Sequence, residues 1–224
     1  MIRCCNLKYS ELKNKPVLDS EGENVGRIID FVFHYEDNKI ILESMLLGGN
    51  RFEEFLESIG MKPDVDPLIN VESIDEIGDE VRLSISQEQM KTTLNSELLH
   101  DNDMTLSKLS RLPIVDSDGF KIGRITDVWF DNEDKIWLVI GGGFVEEILE
   151  KLRAQPDIDP IVPEEHIKNI SEKEICLKWT KYQLESTAEE EFDKQKRELS
   201  SRHEPKDSHY EYLRLIGDTK GGTR

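Results

Sequence analysis

The sequence predicts a mainly β chain with short helices: two tandem small β-barrels, each with an inserted short amphipathic helix, plus a flexible C-terminal tail. Three observations predict it. Two separated motifs recur in the same order in both halves of the 224-residue chain. Short β-prone segments alternate with Asp/Gly turns in each copy, and the last stretch is charged and poor in apolar side chains. The expected division is a first module at residues 1–85, a partly helical linker at 86–104, a second module at 105–184 and a polar helical or disordered tail at 185–224.

The repeat comes first because an internal period sets the architecture. Lys15-Pro16-Val17-Leu18-Asp19-Ser20-Glu21-Gly22 returns as Leu112-Pro113-Ile114-Val115-Asp116-Ser117-Asp118-Gly119, an offset of 97. The same offset lays Val25-Gly26-Arg27-Ile28 on Ile122-Gly123-Arg124-Ile125, and Asp30 and Phe33 on Asp127 and Phe130. Pro63-Asp64-Val65-Asp66-Pro67 returns as Pro156-Asp157-Ile158-Asp159-Pro160 at an offset of 93, so the second copy is shorter between the two landmarks.

Each copy then reads in order. Pro-Val-Leu-Asp and Pro-Ile-Val-Asp are short β-segments, where a leading Pro is tolerated because it need not donate to a ladder. Gly22 and Gly119 close Asp-Ser-x-Gly turns. A long strand follows at residues 25–34 and 122–131, with an early glycine (Gly26, Gly123) that marks a bulge or a close backbone approach. Polar turns lead to third strands at 40–47 and 136–140, an arrangement typical of a small barrel or sandwich. After the glycine corners Gly48-Gly49 and Gly141-Gly142-Gly143, Phe52, Phe55, Leu56 and Ile59 fall at helical spacing, and so do Val145, Ile148, Leu149 and Leu152. The Pro-Asp-x-Asp-Pro loop stops that helix. Strands at 68–71 and 161–162, then at 80–84 and 174–179, complete the copies. Ser86-Gln87-Glu88-Gln89 has capping-box spacing and starts a linker helix toward Leu99. In the tail, Thr187-Ala188-Glu189-Glu190 reads as the cap of a short helix, and residues 200–224 read as disordered.

Composition limits what the chain does. The formal net charge is −18, and it sits on the modules: residues 9–83 carry 18 acidic and 7 basic side chains, residues 105–177 carry 15 and 9. Acidic modules repel a phosphate backbone, so direct nucleic-acid binding is not expected, whereas a basic protein or a cation is compatible. The N-terminus lacks the apolar run of a secretory signal, and no stretch approaches the roughly 20 apolar residues of a membrane span. A soluble, cytoplasmic protein without membrane insertion is expected. Three cysteines do not make a disulfide framework; Cys4-Cys5 reads as incidental and Cys176 as a buried strand thiol.

The pattern Pro-Val/Ile-Val/Leu-Asp-Ser-Asp/Glu-Gly, then Val/Ile-Gly-Arg-Ile, then Asp-x-x-Phe resembles the PRC-barrel domain over roughly residues 9–84 and 105–180. The helix before the Pro-Asp-x-Asp-Pro loop looks like the archaeal members of that family. The resemblance implies two tandem PRC-type barrels and a protein–protein adaptor, since most members act that way and some archaeal ones are cell-division proteins. It does not fix the partner.

No catalytic, metal or cofactor site is expected. Gly141-Gly142-Gly143 has neither dinucleotide nor Walker spacing and reads as a structural corner. Asp64/Asp66 and Asp157/Asp159 alternate like partial calcium ligands, but their prolines do not match an EF-hand loop, and a solvated turn is favoured. Asp30 and Asp127 read as carboxylates that bond a turn inside each barrel. His34, His100, His166, His203 and His209 lack metal-ligand spacing. The candidate interface residues are Trp129, placed on the outer face of the long strand where Val32 stands in the first copy, and the tail cluster Tyr210, Tyr212, Leu213, Leu215 and Ile216, which either binds a partner or docks back on its own barrels. The leading function is a non-enzymatic adaptor or scaffold with an unidentified protein partner, open to self-association, in archaeal cell division. The alternatives are an accessory factor in RNA processing or ribosome maturation acting through protein contacts, and a small-molecule or metal-binding sensor.

Overall fold

The computed structural model describes residues 5–58, 68–93, 103–133, 135–152, 158–200 and 214–217. Two compact units emerge: unit 1 is Met1–Leu109 with Val128–Ile136, and unit 2 is Ser110–Asp127 with Trp137–Arg224.

Unit 1 runs β1 (Leu7–Lys8), α1 (Tyr9–Leu12), β2 (Pro16–Leu18), β3 (Asn24–Glu36), β4 (Lys39–Gly48), α2 (Asn50–Ser58), β5 (Leu68–Asn70), a 3-10 turn at Val71–Ser73, β6 (Ile74–Ile77), β7 (Val81–Leu83) and α3 (Gln87–Thr93), then β8 (Met104–Thr105) and α4 (Leu106–Leu109). Its sheet has the order β5-β4-β3-β2-β7-β6, with β8 added to β3. The short β2 pairs antiparallel with β3 and parallel with β7. Phe31, Ile28 and Met45 are fully buried, and the α2 face predicted from spacing buries Phe52 and Leu56. The side chain of Phe55 and all of Ile59 lie outside the described residues.

Two short segments at equivalent repeat positions, β1 with α1 and β8 with α4, tie unit 1 together. Thr105 and Met104 of β8 pair with Val32 and Phe33, while Leu7 and Lys8 of β1 pair with Phe130 and Trp129. Asp30, 5 % exposed, anchors the helical turns that follow both strands. Its Oδ1 accepts from the Tyr9 hydroxyl at 2.9 Å and from the Ser107 amide at 3.2 Å, and its Oδ2 accepts from the Ser107 hydroxyl. The carboxylate thus holds α1 and α4, where the sequence pointed to a turn within one barrel.

Unit 2 repeats the plan with β9 (Pro113–Val115), β10 (Lys121–Phe130, its end from Val128 belonging to unit 1), β11 (Ile136–Gly141), α5 (Phe144–Leu152), β12 (Ile158–Pro163), a 3-10 turn at Glu164–His166, β13 (Ile167–Ile170), β14 (Ile175–Leu177), α6 (Lys181–Ser200) and β15 (Arg214–Gly217). The sheet order is β13-β14-β9-β10-β11-β12-β15, with β1 on β10. The early strand glycines are close approaches, as their position predicts. A Cβ on Gly123 would lie 2.6 Å from the Gly141 carbonyl oxygen, and one on Gly26, at φ +137°, would lie 2.9 Å from the Phe52 Cβ.

The C-terminal expectations need correction. The helix begins at Lys181, ahead of the expected module boundary, and runs to Ser200. Its start is fixed by Thr180 and Gln183: the Thr180 amide donates to Gln183 Oε1 at 3.0 Å, and the Gln183 amide to the Thr180 hydroxyl at 3.3 Å, a reciprocal capping box. Leu184, Ala188 and Phe192 are buried at i, i+4 and i+8, so a segment poor in apolar residues still has one complete face. Thr187 is interior to the helix, its hydroxyl donating to the Gln183 carbonyl at 2.7 Å. Beyond it, Arg214–Gly217 is a strand that pairs antiparallel with β12, and the rest of 201–224 lies outside the described residues.

Candidate protein interface

The repeated Asp of the Asp-Ser-x-Gly turn is the organising residue of each unit. Asp19 and Asp116 are 3 % and 2 % exposed. Asp116 Oδ1 accepts from the amides of Asp118 at 2.9 Å and Phe120 at 2.7 Å; its Oδ2 accepts from the amide of Lys181, the first residue of α6, at 2.8 Å. Asp19 does the same for Glu21 and Glu23, both at 2.9 Å, and for Gln87, the first residue of α3, at 3.1 Å. One buried carboxylate therefore closes the turn and caps a helix that starts more than sixty positions later, in addition to that helix's local capping box. Carboxylate acceptors of backbone N–H groups are among the stronger hydrogen bonds available to a fold, and a negative charge at a helix N-terminus is favoured by its dipole.

What the carboxylate positions differs between the units. In unit 2 it brings Phe120 beside the start of α6. The Lys181 ammonium stands 4.1 Å from the Phe120 ring centroid and 5.1 Å from that of Tyr182. Phe144, at the start of α5, meets Phe120 edge-on with centroids 5.6 Å apart. Phe120 is 42 % exposed and Tyr182 68 % exposed. In unit 1 the corresponding positions are Glu23, Arg51, Gln87 and Glu88. An exposed aromatic cluster with a cation over its ring faces offers apolar area and cation–π attraction together, and aromatics are enriched at binding hot spots.

The sequence-derived candidates fall elsewhere. Trp129 is half-buried and its backbone pairs with Lys8. Val32 is 4 % exposed and clusters with Leu46 and Leu68 against Ile29; alternation places it away from Phe31 and Phe33, yet these side chains pack around it, so it offers no open surface. Leu215 and Ile216 lie in β15, opposite Pro160 and Asp159 of β12. Tyr210, Tyr212 and Leu213 lie outside the described residues, as do Asp64, Asp66 and Asp157 of the acidic loops. Asp159 is a β12 residue. Phe120, Phe144, Lys181 and Tyr182 were missed by sequence reasoning. The usable signal was the repeat itself, which sets Phe120 against Glu23 and Lys181-Tyr182 against Gln87-Glu88.

Other chemistry is sparse. Among the described residues no group of three or more His, Cys, Asp or Glu side chains is arranged to hold a metal ion. Cys176 is half-buried in β14, its thiol 3.6 Å from the Asp116 carbonyl oxygen. The His166 ring lies 4.1 Å from the Trp179 ring, and burial lowers its pKa from the ordinary histidine value, with Lys178 adding to the shift and Glu165 opposing it. A cleft of about 360 Å³ in unit 1 is lined by Asn14, Asn24, Arg27, Arg51 and the glycine corner Gly48-Gly49. Among the described residues no helix is long and apolar enough to cross a membrane.

Comparison with known proteins adds one finding. The model of the PRC-barrel domain matches the chain twice, over residues 6–90 and 101–181. No curated protein matches it significantly.

Proposed function

This chain belongs to the PRC-barrel domain family, with two copies of the domain, and from that premise we propose that it is a non-enzymatic adaptor that holds a protein partner through the aromatic cluster of unit 2. The observation that carries the reading is the exposure of Phe120 and Tyr182 around Lys181, at a place where the sister unit is polar. Solvating two large rings has a cost that burial against a partner removes, at roughly 1.5–3 kcal/mol per fully covered aromatic. The cleft beside Arg27 and Arg51 is the observation that favours a second reading, a sensor of a small anionic molecule. The likeness of the inserted helix to archaeal members supports cell division as the setting of the adaptor.

The test is affinity capture of the full chain from its native cells, quantified by mass spectrometry, in parallel with Phe120→Ala/Tyr182→Ala and Glu23→Ala/Glu88→Ala. Loss of two hot-spot aromatics should lower retention of the specific partner at least tenfold. The unit 1 pair should retain it. Division-ring proteins in the captured set support the proposed setting, and ribosomal proteins would move it to ribosome maturation. A partner retained equally by all three chains would overturn the assignment of the interface.

A further inference from the structure

The cleft of unit 1 gathers hydrogen-bond donors around a glycine corner, and the same corner in unit 2 does not. Arg27 leaves β3 beside Gly48-Gly49, the corner that precedes α2. A Cβ on Gly49 would lie 3.0 Å from the Arg27 Nε and 3.5 Å from an Nη atom, so the guanidinium rests on the corner, where a larger residue would push it aside. Gly49 also has φ +100°, a conformation that favours glycine. Arg51, in the first turn of α2, brings a second guanidinium to the same cleft. The chain holds 47 acidic against 29 basic side chains, yet among the described residues neither arginine forms an ion pair. Asn24 adds a donor, because its Oδ1 accepts from the Gly26 amide at 3.0 Å and its NH2 group is left over. The amides of Asn50 and Arg51 open α2 and have no carbonyl within that helix to bond. No carboxylate and no aromatic ring among the described residues lines the cleft. In unit 2 Arg124 stands for Arg27 but does not come within 4 Å of a Cβ at Gly142, and Phe144 replaces Arg51.

We propose that this cleft binds a small molecule carrying two linked oxyanion groups, one for each guanidinium. The proposal rests on the second reading above, a sensor of a small anion, and names its ligand class. A guanidinium fork matches the paired oxygens of a phosphate or a carboxylate, so a diphosphate and a dicarboxylate share the required chemistry. Two heads follow from the placement of the forks. They come from different elements, β3 and α2, and line a space of about 360 Å³, the size of a small-molecule site rather than of a single ion. A nucleobase would find no ring there to stack on, so the body of the ligand is small and polar. The net charge of −18 opposes any anion at long range. One fork alone therefore holds its ligand poorly, and the second decides.

The test is isothermal titration calorimetry of the full chain in a buffer free of phosphate and carboxylate. Pyrophosphate and succinate are compared with their one-headed counterparts, inorganic phosphate and acetate. At least one two-headed probe should bind about tenfold more tightly than its counterpart, and which of the two does so separates a diphosphate from a dicarboxylate. Arg27 and Arg51 are exposed, so Arg27→Gln and Arg51→Gln should fold, which thermal unfolding establishes. Each should reduce that probe to the affinity of its counterpart, while Arg124→Gln should leave it unchanged. Equal affinity for one-headed and two-headed probes, or a loss in only one of the two cleft variants, would overturn the two-headed ligand and leave the sensor reading standing. No binding by any probe, or binding that both cleft variants retain, would overturn the two together.

Discussion

Units 1 and 2 share a scaffold and differ in what it presents. In both, a buried turn aspartate gathers two amides of its own turn and the first amide of a later helix. The geometry is repeated to within a few tenths of an ångström, but the side chains riding on those amides are Glu23 and Gln87 in one unit, Phe120 and Lys181 in the other. The backbone of these residues belongs to the fold, and the side chain is free to diverge. The second difference is at the sheet edge, where unit 2 has gained a strand from outside the repeat.

The sharpest way to break this comparison is to remove the carboxylates. Asp116→Ala and Asp19→Ala each leave three amides without their carboxylate acceptor, one of them the first amide of a helix whose local capping box remains. Hydrogen bonds to charged groups contribute about 1.5–3 kcal/mol each, not additively. A destabilisation of about 3 kcal/mol is expected for either substitution, a fall in thermal midpoint of roughly 10 °C for a chain of this size. Partner capture should separate them. Asp116→Ala also loosens Phe120 against Lys181 and should lose the partner at temperatures where it is still folded, while Asp19→Ala should keep it. Equal losses of binding would show that the two units do not divide the labour as argued.

The strand glycines test the shared scaffold. A methyl group at Gly123 would press on two backbone carbonyls, at 2.6 and 2.8 Å, whereas at Gly26 it meets a side-chain carbon at 2.9 Å and a carbonyl at 3.0 Å, with an unfavourable φ besides. Overpacking of this kind costs about 1–3 kcal/mol, so Gly123→Ala and Gly26→Ala should each lose about 2 kcal/mol in chemical denaturation. A neutral result at either would mean that the strand crossing there relaxes freely.

The elements that sequence reasoning placed well are those with a repeated physical cue: turn glycines, the long bulged strands, the amphipathic helices α2 and α5, and the Ser86 helix start; the equivalent start at Thr180 was read at Thr187 instead. What it missed gave weaker cues. β1 and α1 together span residues 7–12, too short for a period to develop, so only their repeat counterparts at 104–109 could have marked them, and they are held by Asp30, a partner remote in sequence. β6, Ile74-Asp75-Glu76-Ile77, is half acidic and pairs through its backbone. Trp129 and Val32 were chosen by alternation, which gives the face of a strand but not what lies over it. Val32 fails as a surface residue because Leu46 and Leu68 cover it. The aromatic cluster was marked only by its departure from the first copy, since Phe120, Phe144 and Tyr182 are far apart in the chain and are brought together by the turn aspartate and the two helix starts.

The smallest effect expected is a pH dependence confined to unit 2. His166 stands where unit 1 has Ser73, and Trp179 where it has Ile85. Burial beside Trp179 disfavours the imidazolium, helped by Lys178 and opposed by Glu165, so the folded pKa lies below the ordinary value. The unfolded chain then takes up the proton first as pH falls. Stability from this group is complete above about pH 6.5, the unfolded pKa, and is lost as pH drops through that value toward the folded one. The thermal midpoint of the parent chain should decline between pH 7 and pH 5 by a few degrees more than that of His166→Ser, which installs the unit 1 residue and removes the titrating ring. Carboxylates that titrate in the same range act on both chains and cancel in the difference. Parallel curves would mean that the His166 site admits the charged ring without cost, and that the two units respond to acid alike.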